Sequence, residues 1–103
     1  TKDARIAAYK KKQAAMKPID RMKKKLEDMR KQRDVHDNAA SKYREDAAKI
    51  RERNPNDDNG IEGAEMKAER QEEMGDELNR KIQDLKDDIK KMTDKAKDIT
   101  KRD

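Results

Sequence analysis

The sequence predicts an all-α fold: an antiparallel two-helix coiled-coil hairpin with a kinked basic N-terminal helical extension. Three observations carry this expectation. Apolar residues recur at alternating spacings of three and four along two long stretches, the signature of a coiled-coil seam. A single strong breaker cluster at residues 54–60 (Asn-Pro-Asn-Asp-Asp-Asn-Gly) separates the stretches. The composition, 51% charged against 30% hydrophobic, supplies enough apolar surface for a narrow stripe but too little for a globular core. In 103 residues that allows one domain at most.

The elements follow in order. Residues 1–17 read as a basic helical arm whose stripe of Ile6, Tyr9, Gln13 and Met16 is offset from the later ladder. Pro18 is expected to kink or restart the helix, because proline removes a backbone donor and clashes with the preceding turn. Residues 18–53 form the first coiled-coil helix. Its ladder is Ile19, Met22, Leu26, Met29, Arg33, His36, Ala40, Tyr43, Ala47 and Ile50. Residues 54–60 make the turn, since Asn54 before Pro55 is pushed out of the α region. Asn59 with Glu62 resembles a capping box opening the second helix, residues 61–103. The second ladder is Ile61, Ala64, Ala68, Gln71, Gly75, Leu78, Ile82, Leu85, Ile89, Met92, Ala96 and Ile99.

Folding one ladder onto the other pairs Ile50 with Ile61, Tyr43 with Ala68, Ala40 with Gln71 and His36 with Gly75. It continues Met29 with Ile82, Leu26 with Leu85, Met22 with Ile89 and Ile19 with Met92, every layer mating an a with a d position. Before Ala15 the register fails, because Lys12 would face Ile99. Between Ile19/Met92 and Met29/Ile82 a dry Leu/Ile core is available, whereas Arg33, His36, Gln71 and Gly75 make a poor waist. Marginal stability in isolation follows, with a partner supplying the missing burial. On the flanks Lys25 can reach Asp88, Arg44 can reach Glu65 and Asp46 can reach Lys67, while Asp37 lies near Glu72 and Lys23 near Lys86. Exposed pairs are worth less than about 1 kcal/mol each, so the apolar stripe sets the register.

Catalytic chemistry finds no support. There is no cysteine, hence no thiol nucleophile, Cys-based zinc site or disulfide. His36 is the sole histidine and Ser41 the only serine. Adjacent carboxylates such as Asp57/Asp58, Glu72/Glu73 and Asp87/Asp88 diverge on a helix. The turn resembles a calcium loop only superficially: aligning Gly60 with the loop glycine puts Pro55 at the first ligand and Met66 at the bidentate glutamate. Catalytic residues, cofactor and metal are therefore expected to be none, and the chain is not expected to be an enzyme. No apolar run is long enough for a bilayer span or a signal-peptide core, so the chain reads as soluble.

Charge gives the leading clue to partners. Residues 1–53 hold 18 basic and 9 acidic groups, and residues 54–103 hold 11 and 15. The densest basic run is Lys10, Lys11, Lys12, Lys17, Arg21, Lys23, Lys24 and Lys25. It could meet an acidic protein surface, nucleic acid or anionic lipid. Aromatic interleaving for base stacking is missing, and Ile6, Tyr9 and Met16 make only a thin membrane-facing stripe. Val35, Ala39 and Met74 form a small apolar patch beside the waist, suited to another helix. The expectation is a structural or adaptor subunit of a larger assembly, binding other proteins through helical or acidic surfaces. The alternatives are an electrostatic binder of nucleic acid or anionic membrane, and a stalk or chaperone-like accessory protein of a secretion or ATPase complex.

Overall fold

The computed structural model describes residues 1–101; Arg102 and Asp103, assigned above to the second helix, lie outside the described residues. Two long helices pack against each other as an all-α hairpin: α1, Lys2–Arg53, and α2, Asp58–Lys101. No strand occurs among the described residues.

α1 opens on Thr1, whose Oγ1 accepts from the Ala4 N–H at 3.2 Å while its carbonyl accepts from Arg5, an N-cap arrangement. The expected restart at Pro18 does not occur. α1 passes through Pro18 as one helix, so residues 1–17 and 18–53 belong to a single element. An interior proline costs roughly 3 kcal/mol. Burial offsets it: Ile19, the next residue, is fully inaccessible to solvent, and helix formers fill the turn before it.

The turn is shorter than its breaker cluster. α1 ends at Arg53, ahead of the restricted Asn54-Pro55 pair, and the Asp57 N–H donates to the Asn54 carbonyl at 3.0 Å. Asn54 Oδ1 also accepts from the Asn56 N–H at 3.3 Å. Pro55 supplies the pre-set φ at the second turn position, and no turn residue among the described residues has positive φ, which excludes a type II turn. The helix cap is Asp57 rather than the expected Asn59. Its Oδ1 accepts from the Gly60 N–H at 3.1 Å and its carbonyl from the Ile61 N–H at 3.0 Å. Asn59 thus falls inside the first turn of α2, too late to cap it.

The chain divides into two compact units. One comprises Thr1–Asp28 with the described part of Lys81–Asp103, the other Met29–Arg80. In the first unit Ile19, Leu26, Ile82 and Ala96 are buried, and Met22, Leu85, Ile89 and Met92 are half-buried. Toward the chain start Ile6 and Tyr9 are exposed, Ala8, Ala15 and Met16 are half-buried, and Lys12 is exposed while Ile99 is half-buried.

The second unit is built differently. Its buried positions are Ala40, Ala47, Ile61, Ala64, Ala68 and Gly75, with Arg33, His36, Tyr43, Ile50, Gln71 and Leu78 half-buried. Every ladder position from Ile19 to Ile50 and from Ile61 to Ile99 is at least partly withdrawn from solvent. Polar seam residues reach outward. Arg33 Nη1 donates to Asn79 Oδ1 at 3.3 Å while its Nε and Nη2 bond Asp34 Oδ1.

Two tests follow. A Met22→Cys/Ile89→Cys chain should oxidise to an intramolecular disulfide, read as a monomeric shift on non-reducing electrophoresis; cross-linked dimers alone would refute the closed hairpin. Asp57→Ala should lower stability by about 1 kcal/mol in urea unfolding through loss of the cap.

Candidate functional site

Each flank of the second unit carries a cleft, and the two differ in charge. One cleft, about 410 Å³, is lined by Tyr43, Asp46, Lys49, Ile50, Arg53, Asn59, Gly60, Gly63, Ala64 and Lys67. Gly63 on α2 leaves it hollow, since a β-carbon there would meet nothing within 4 Å, whereas the space beside Gly60 is taken by the capping Asp57 carboxylate. Ile50, Ala64 and Tyr43 floor it, and three cations rim it against the single carboxylate of Asp46. The Lys67 ammonium stands 5.8 Å above the Tyr43 ring, a cation–π contact, rather than in the salt bridge expected with Asp46.

The other cleft, about 660 Å³, is lined by Asp37, Ala40, Ser41, Arg44, Glu45, Ala48 and Glu72. Here the expected Arg44–Glu65 bridge is corrected. Arg44 grips Glu72 with Nε to Oε1 at 3.0 Å and Nη2 to Oε2 at 3.1 Å, and Glu65 belongs instead to Arg51. The reason is directional. Helix side chains tilt toward the N-terminus of their own helix, so in an antiparallel pair the tilts of Arg44 and Glu72 converge while those of Arg44 and Glu65 diverge. The Arg44 hydrogen bonds, followed by its charge, hold the Glu72 carboxyl below the usual carboxylate range, and Glu72 raises the Arg44 guanidinium above its ordinary value in return.

The waist also rearranges. His36, expected opposite Gly75, donates from Nδ1 to Gln71 Oε1 at 2.7 Å, so the two polar seam residues satisfy each other. Gly75 is occupied from the flank, where Asp37 Oδ1 would lie 2.7 Å from a β-carbon there. Among the described residues no group of three or more His, Cys, Asp or Glu could hold a metal ion, and no helix is long and apolar enough to cross a membrane.

The expected contact residues fall in separate units. Lys10, Lys11, Lys12, Lys17, Arg21, Lys23, Lys24 and Lys25 lie in the first unit, all exposed on α1. At helical spacing Lys10, Lys17, Arg21 and Lys24 form one stripe on the face opposite the seam, with the remaining lysines beside it. Val35, Ala39 and Met74 lie in the second unit on the flank of the cation-rimmed cleft; Val35 is 65% exposed, Met74 46%, and Ala39 half-buried.

The reading by residue missed how charge sorts between the flanks. Lys42, Lys49, Lys67 and Arg70 share the side of the first cleft, while Glu62, Glu65, Glu69 and Glu72 share the side of the second. Sorting charges by the side of the seam they occupy, rather than summing them per half-chain, would have found it.

Two outcomes check this geometry. Gly63→Ala should raise stability by roughly 0.5–1 kcal/mol in chemical unfolding, since the methyl enters open space and glycine is the weaker helix former. Because the Glu72 carboxyl titrates below its unfolded value, its pairing stabilises above the ordinary carboxylate range and is lost as pH falls through the depressed value. The wild-type melting temperature should therefore fall more steeply than that of Glu72→Gln below about pH 5. Parallel curves would show that the pair contributes nothing to the fold. No protein-family model, curated protein or solved structure matches this chain.

Proposed function

We propose that this chain is a non-catalytic adaptor of an assembly, a helical hairpin whose flanks hold other proteins. The observation carrying the reading is the exposed Val35 and Met74, on the same flank as an open, cation-rimmed cleft, in a unit whose own seam is mostly alanine, glycine and polar side chains. Exposed apolar side chains next to a concavity mark contact surfaces, and methionine adapts to varied partners. The clefts are shallow and open to solvent, which suits holding a partner's side chains. A photoreactive residue replacing Val35 should form a covalent protein adduct under native conditions, while one replacing exposed Glu52 on the outer face of α1 should give less. Equal labelling at both positions, or none, would overturn the reading.

A second reading rests on the stripe of Lys10, Lys17, Arg21 and Lys24, whose exposure and common face favour electrostatic binding of a polyanion. It predicts affinity for duplex DNA or anionic vesicles that falls linearly on a log–log salt plot. Neutralising those residues should flatten the slope by roughly one unit per lysine that touches phosphate. Binding insensitive to salt would exclude it.

A further inference from the structure

The second unit presents surfaces of opposite character on its two flanks, and each has what the other lacks. One side carries Lys42, Lys49, Lys67 and Arg70, all exposed, together with the projecting Val35 and Met74. The other side carries exposed Glu62, Glu69 and Glu72, and a shallow groove whose small residues are Ala40, Ser41 and Ala48. On the acidic side Arg44 and Arg51 pair with Glu72 and Glu65, so the negative charge offered outward is that of Glu62 and Glu69. From this complementarity we infer that the occupant of the Val35/Met74 flank is the acidic flank of a second copy of this chain. The inference rests on the adaptor reading above, in that it names what that flank holds.

Electrostatics and shape agree. Laid side by side in the same orientation, two copies bring the lysines of one against the glutamates of the next, and the Val35/Met74 projection toward the alanine-lined groove. An inverted or face-to-face pairing of like flanks would set lysine against lysine or glutamate against glutamate. The interface is therefore heterologous: each copy uses different surfaces toward its two neighbours, leaving an unused flank at either end, and association continues beyond a dimer unless a ring closes. Because the charges lie at the surface, the association is screened by salt.

Sedimentation velocity of the full chain tests this. At low ionic strength the average mass should rise with protein concentration above that of a 12.1 kDa single chain, and at about 0.5 M salt it should return there. Two charge-reversed chains, Lys67→Glu/Arg70→Glu and Glu62→Lys/Glu69→Lys, should each remain single at low salt while keeping wild-type helicity by circular dichroism. Mixed in equal amounts they should associate again, since each then offers the sign the other needs. A wild type that stays single at every concentration in low salt overturns the inference, as does association that survives in either variant alone. If the wild type stays single while the photoreactive chain captures a different protein, the second-copy inference falls and the adaptor reading stands. If neither event occurs, both fall.

Discussion

The structure depends on one constraint: two apolar ladders must remain in phase as the chain reverses through residues 54–57. A seam position is defined by its place in the three-four alternation and not by its own polarity. Arg33, His36 and Gln71 are accordingly half-buried alongside Leu78 and Tyr43. Once the phase is set, each polar side chain placed there must find a partner or reach solvent. His36 and Gln71 do the first together, and Arg33 does the second through Asn79 and Asp34.

The same seam rule produces two kinds of interior. In the first unit it buries Ile19, Leu26 and Ile82, side chains that each withdraw substantial apolar area. In the second it buries Ile61 beside the turn but otherwise Ala40, Ala47, Ala64, Ala68 and Gly75, which withdraw little. The second unit accordingly holds more of its specificity at the edges, in the bidentate Arg44–Glu72 contact, the Lys67–Tyr43 stack and the Asp57 cap. Its edges are also where the clefts lie, so the features that fix this part of the hairpin border its solvent-open concavities.

The seam was legible because burial has a period, and a period can be read without coordinates. The flanks were less so. Arg44 chose Glu72 over Glu65 because of side-chain tilt, which spacing alone does not encode. At Pro18, local propensity argued for a break, but burial of Ile19 outweighed the lost hydrogen bond. At the turn, two acceptors competed to cap α2, and Asp57 took the role because the short Asn54-Pro55 reversal already placed its carbonyl at the helix start. Val35, Ala39 and Met74 could be placed on one flank by register, whereas the open space beside Gly63 emerges only when the absent β-carbon is considered in space.

The alanine seam has a thermal consequence. Opening it exposes little apolar area per residue, and newly hydrated apolar area is what raises heat capacity on unfolding. Alanine also has no rotamers to free, so little side-chain entropy is released. Residue for residue, the second unit's seam therefore adds less to the heat-capacity change of unfolding than the Ile- and Leu-filled seam, and so less to the curvature of stability with temperature.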